Sequence, residues 1–160
     1  MLLISQRLAA KIYFNLRLFA KNTTNKCHTP NNYPEQTALR LAQRKAHAIA
    51  QKYPESIIIG SDQVATLEGE QIGKPGTHGA ALKQLQKMRG KEVIFHTALC
   101  LLDNRKMQSG HAVQSENIQT LVRFRDLRDA ELDAYLRIEQ PYDCAGSAKN
   151  EGLGIVIIEK

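Results

Sequence analysis

The chain has 160 residues, 42% of them hydrophobic, and a formal charge of +6. That length suits one domain with a real core, and the modest basic excess favours a polyanionic partner: a nucleotide, a nucleic acid or an anionic surface. Cys27, Cys100 and Cys144 are too scattered for a disulfide framework or a zinc site, and no run reaches the roughly 18 apolar residues of a membrane span.

Residues 1–34 hold Arg7, Lys11, Arg17, Lys21 and Lys26 with no acid, which is most of the positive excess. Those charges interrupt the apolar stretches of Met1–Phe19, so a secretory signal is not expected and a reduced cytoplasm is. Leu2-Leu3-Ile4-Ser5 has the composition of a short strand. Pro34-Glu35 then opens a helix predicted to run to about Lys52, with Leu39, Ala42, Ala46 and Ile49 at spacings of three and four. Glu35 suits the positive end of the helix dipole, and Tyr53-Pro54 stops the helix. Lys45 lies on a different face from Leu39 and Ala46, and by spacing alone it reads as a solvated lysine.

Ser56–Gly60, with Ile57, Ile58 and Ile59 in a row, reads as a buried strand that places Ser61-Asp62-Gln63 at its carboxyl end. Spacing leaves Asp62 two roles: a working carboxylate in the crevice beyond a strand end, or a turn residue. Glu68-Gly69-Glu70 marks a turn between Val64–Leu67 and Gln71-Ile72, folding Gly73-Lys74-Pro75 back towards Asp62. An acid and a lysine at one strand end suit a metal-chelated phosphate and an activated water. A second helix is predicted over Thr77–Arg89, capped by Gly76-Thr77 and stopped by Gly90, with Lys83 and Lys87 solvated.

Glu92–Leu102 and Val113–Phe124 alternate as a long antiparallel strand pair joined through Asp103-Asn104-Arg105, with Gln114, Glu116, Gln119 and Arg123 facing solvent. His96 inside the first of these reads as a packed or cross-strand histidine rather than a general base. Asp126–Glu131 resembles a helix start with acids in its first turn, and Leu132, Tyr135 and Leu136 supply the apolar face. Gln140-Pro141-Tyr142-Asp143 breaks it. The small residues Cys144-Ala145-Gly146-Ser147 allow backbone to approach a ligand, Lys149 and Glu151 follow on a loop, and Ile155–Ile158 reads as a final strand.

Three of these stretches, Ala38–Ala46, Ser56–Pro75 and Cys144–Gly152, occur in the order found in the Maf family of nucleoside triphosphate pyrophosphatases, which the chain resembles from about Glu35 onwards. Asp62-Gln63 and Glu151 resemble the subgroup acting on 7-methyl-GTP rather than the dTTP/UTP subgroup, which has a threonine after the acid. The resemblance implies an α/β fold, with a Maf/ITPase-like mixed twisted sheet flanked by helices, over residues 35–160. It implies hydrolysis between the α- and β-phosphates with Mg²⁺ or Mn²⁺. Asp62 would serve as proton acceptor or as a metal ligand through water, Lys45 and Lys74 would hold phosphate oxygens, and Gln63 and Glu151 would select the base. It further implies a homodimer as a possible assembly.

Residues 1–34 depart from the family. Ser5-Gln6-Arg7 is a remnant of the expected phosphate loop, and Cys27-His28-Thr29-Pro30-Asn31-Asn32 stands where a Glu-Thr-Pro stretch belongs. A transit segment and a disturbed reading frame both account for this, the latter better. No Trp is present to stack on a methylated guanine, and Tyr13 or Phe14 are the nearest aromatics. Family members also continue past Lys160, so a truncated end and exposed apolar surface are expected. The alternatives are a degenerate member that binds nucleotide without turnover and, less well supported, a basic RNA-binding module.

Overall fold

A computed structural model describes residues 33–105 and 112–159. The expectations placed on Leu2–Ser5, Ser5–Arg7, Tyr13, Phe14 and Cys27–Asn32 lie outside the described residues. In chain order the elements are α1 (Pro34–Ala50), β1 (Ile57–Leu67), β2 (Glu70–Ile72), α2 (His78–Met88), β3 (Glu92–Asp103), β4 (Ala112–Arg123) and α3 (Asp129–Glu139), then 3₁₀ turns at Ala145–Ser147 and Leu153–Ile157. The four strands form an antiparallel sheet in the order β2-β1-β3-β4, and with the three helices this is the α/β class expected.

The chain divides into two compact units, the first holding the described residues up to Asp62 with those of Thr97–Ile118, the second Gln63–His96 with Gln119 onwards. In the first unit α1 buries Ala38, Ala42 and Ala46 completely. This stripe of small residues is shifted from the expected one, for Leu39 and Ile49 stay half-buried. The cause is Gly60. A β-carbon there would come within 2.3 Å of the Ala42 carbonyl oxygen and 2.8 Å of the Ala46 nitrogen, so helix and strand backbones are nearly in contact. Asn104 ties the helix end to the sheet: its side-chain amide donates to the carbonyl of Ala50 (2.7 Å), one that a helix terminus leaves unpartnered, and to that of Tyr53 (2.8 Å) beyond it. Its backbone exchanges hydrogen bonds with Glu55 and Ser56.

β1 runs on to Leu67, so Asp62 lies inside a strand and not at its end. Gly60 and the polar Ser61-Asp62-Gln63 look like a strand terminus in sequence. In three dimensions the glycine serves the close helix contact, and the antiparallel partner carries the strand past it. The Glu68-Gly69 turn sits where expected, both residues at positive φ (53° and 83°), the geometry of a two-residue hairpin loop. β1 pairs with β2 through Ala65↔Ile72, Thr66↔Gln71 and Leu67↔Glu70.

In the second unit one core gathers Leu67, Leu85, Met88, Phe95, Phe124 and Leu136 with their smaller neighbours, and α2 packs on α3. Thr77 caps α2, accepting the Ala80 N–H at 3.3 Å, as its position predicts. Lys83 and Lys87 are exposed as expected, and Lys87 pairs at the surface with Glu70 at 2.5 Å. Leu132, Tyr135 and Leu136 are the buried face of α3, and Gln140 ends that helix in the left-handed conformation. On β4, Gln114, Glu116, Gln119 and Arg123 are exposed as expected, but so is nearly everything else along it before Val122. The final strand is corrected. Residues 153–157 form a 3₁₀ turn, and a single bridge between Phe124 and Ile158 is all the pairing there. An apolar run of four cannot itself choose between these states, and the turn leaves Ile155 74% exposed.

Candidate active site

The close approach at Gly60 carries Lys45 of α1 onto β1. Its ammonium donates to Asp62 Oδ1 at 2.5 Å and to the Ser61 carbonyl at 3.0 Å. Each of the two side chains is 16% exposed. Ser61 is itself held, donating from its hydroxyl to the Ala98 carbonyl at 2.9 Å. Lys45 is thus no solvated lysine: one turn of helix and one glycine turn it into the partner of the carboxylate. Among the described residues Oδ2 of Asp62 accepts no hydrogen bond.

The other expected residues belong to the second unit. Gln63 is exposed on β1, Lys74 is exposed on the loop after β2, and Glu151 is exposed on the turn after the Ala145–Ser147 segment. Gln63 and Lys74 stand two residues beyond the last pair of the β1–β2 ladder. The loop bearing Lys74 is pinned on both sides. Gln84 Nε2 donates to the Gly73 carbonyl at 2.8 Å, and the Gly76 N–H donates to the Tyr142 carbonyl at 2.9 Å. Gln84 also accepts from Ser147 Oγ at 2.6 Å, while Tyr135 donates to the Ser147 carbonyl at 3.0 Å. One amide therefore joins the loop of Lys74 to the small-residue stretch that precedes Glu151. Ser147 falls within the small-residue motif, but nothing in the sequence marks Gln84, which sits at no motif position.

His96 is 6% exposed with Nε2 at 3.4 Å from Thr66 Oγ1, the packed cross-strand histidine expected. Burial, with Asp143 adding to it, pushes the Cys144 thiol up to about 11, so it stays protonated near neutrality and is no nucleophile. Among the described residues no group of three or more His, Cys, Asp or Glu could hold a metal ion by itself. A single carboxylate does fit Mg²⁺ or Mn²⁺ arriving with a triphosphate, since such ions are held by one or two carboxylates and the substrate's own phosphates.

Comparison with known proteins adds a further observation. The family model described as Maf-like protein matches residues 6–160. A protein of Cupriavidus pinatubonensis is 60% identical over 127 residues, covering 79% of this chain and 62% of its own. One of Ralstonia nicotianae is 57% identical over 131 residues (82% and 66%), and one of Burkholderia pseudomallei 61% identical over 133 residues (81% and 60%). All three carry the name 7-methyl-GTP pyrophosphatase. The chain spans about three fifths of the length of these relatives.

Proposed function

This chain belongs to the Maf-like protein family, and from that premise we propose that it hydrolyses 7-methyl-GTP to 7-methyl-GMP and pyrophosphate. The observation that carries the proposal is the Lys45–Asp62 contact on β1, in which a lysine and a carboxylate pair within one small site. The names of the relatives above support the choice of substrate.

In the proposed reaction a water attacks the α-phosphorus, the bond from that phosphorus to the α–β bridging oxygen breaks, and pyrophosphate departs with that oxygen. Asp62 Oδ2 takes the water's proton or orients the water; Lys45 fixes the carboxylate through Oδ1 and offers its charge to a phosphate oxygen. Lys74 binds phosphate from its pinned loop. Gln63 and Glu151 select the base, the Glu151 carboxylate favouring the cationic ring of an N7-methylated guanine. Mg²⁺ or Mn²⁺, held by Asp62 and the triphosphate, would neutralise phosphate charge and polarise the phosphorus.

The test is pyrophosphate release from 7-methyl-GTP, GTP, dTTP and UTP with either ion. The expected result is preference for 7-methyl-GTP, with Asp62→Asn and Lys45→Ala each reducing turnover by about a hundredfold or more. Faster turnover of dTTP or UTP would remove the roles given to Gln63 and Glu151. Full activity in Asp62→Asn would remove the site.

A further inference from the structure

Glu139, the last residue of α3, is turned inwards with a side chain only 10% exposed. Its Oε1 lies 2.8 Å from Lys149 Nζ and its Oε2 accepts the Leu153 N–H at 2.7 Å. The two contacts bracket residues 149–153, which the Lys149 carbonyl closes from inside by accepting the N–H groups of Gly152 and Gly154 at 3.0 Å each. There is no slack in this turn. A β-carbon at Gly152 would meet both Glu139 oxygens at 2.5 Å, and one at Gly154 would meet the Lys149 carbonyl oxygen at 2.6 Å. Glu151 stands exposed at the tip.

We propose that Glu139 is a positioning residue for base selection, acting on Glu151 in two ways: it clamps the turn that presents Glu151, and it occupies Lys149 so that the Glu151 charge stays free for a cationic base. This rests on the reading of Glu151 as the base-selecting residue. Lys149 is two residues from Glu151, close enough that Glu139 first and Glu151 more weakly hold its ammonium above the ordinary lysine range. Glu151 is the other carboxylate acting on Lys149, and without Glu139 an ion pair between them would compete directly with the ligand. Glu139 touches no nucleotide in this scheme.

The experiment measures equilibrium binding of 7-methyl-GMP and GMP to the full chain, with amide hydrogen exchange at residues 151–154 in the same variants. Glu151→Gln is expected to lower the preference for the methylated base about tenfold, a loss of one favourable charge contact. Glu139→Ala is expected to lower it about fivefold and to speed exchange at Leu153. Glu139→Gln, which keeps an oxygen for the Leu153 N–H but loses the ion pair, falls between and serves if the alanine variant does not fold. Adding Lys149→Met to Glu139→Ala is expected to recover part of the preference while exchange stays fast, which a purely structural role for Glu139 would not produce. An unchanged preference in both Glu139 variants, with Glu151→Gln effective, overturns the proposal and leaves the reading of Glu151 standing. No effect of Glu151→Gln, or no preference in the unsubstituted chain, overturns that reading and the proposal with it.

Discussion

Asp62 and Asp103 show how differently two carboxylates on neighbouring strands can be used. Asp62 gives Lys45 one oxygen and, among the described residues, accepts nothing on the other, whereas Asp103 is closed by its neighbour: Oδ1 accepts the Arg105 backbone N–H at 3.1 Å and Nε at 2.9 Å, and Oδ2 accepts Nη2 at 2.5 Å. Those bonds from Arg105 bring the Asp103 carboxyl from its ordinary 3.8 down to about 2. A carboxyl lowered on folding contributes stability above its unfolded value and loses it as pH falls through the folded one. The gap in urea midpoint between the unsubstituted chain and Asp103→Asn is therefore expected to be constant above about pH 4 and to close between pH 4 and pH 2. A gap that persists undiminished at pH 2 would show that the Arg105 contacts do not protect the charged form. At this scale the sequence was a fair guide to which residues matter and a poor one to why. Asp62 and Lys45 stand out by motif, but periodicity made Lys45 a surface lysine, and nothing along the chain marked Gln84 as the support of the Lys74 loop or Glu139 as that of the Glu151 turn.

The elements were legible where pattern and capping agreed. Thr77 with Gly90 framed α2, the bounds of β3 were read to within a residue although its buried face changes phase between Phe95 and His96, and Leu132, Tyr135 and Leu136 named the buried face of α3. Two elements were misread for one reason: local signals compete with partners distant in sequence. β1 continues past an apparent end because β3 lies beside it, and Ile155–Ile157 coil into a turn whose start is held by Glu139 at the Leu153 N–H. The contact of α1 with β1 is the element on which the candidate site depends. Gly60→Ala would drive a methyl into the Ala42 carbonyl, an overpacking of backbone against backbone expected to cost about 3 kcal/mol. Activity should fall further than that stability loss explains, since the shifted helix would draw Lys45 from Asp62. A denaturation midpoint unchanged in Gly60→Ala would mean the helix can yield without cost.

For the whole molecule, charge is the property the sequence states outright. Most of the +6 sits in Arg7, Lys11, Arg17, Lys21 and Lys26, and the rest of the chain is nearly neutral. Attraction to polyanions should therefore belong to residues 1–34: replacing those five by glutamine is expected to lower the salt at which the chain leaves a heparin column to nearly that of a neutral protein. Retention at unchanged salt would reveal a basic surface elsewhere and revive the RNA-binding alternative. Among the described residues no helix is long and apolar enough to cross a membrane, in line with the composition. What the sequence alone determined was the α/β class, the family through three ordered motifs, most element positions and the two residues now found in contact, because composition, capping and periodicity are local and motifs are linear. What only the tertiary structure decided was that Asp62 lies within a strand, that Gly60 brings Lys45 onto it, and that Gln84 and Glu139 hold the segments of Lys74 and Glu151. Those outcomes turn on a missing β-carbon and on hydrogen bonds between residues as much as 63 positions apart, and such contacts leave no period in the chain.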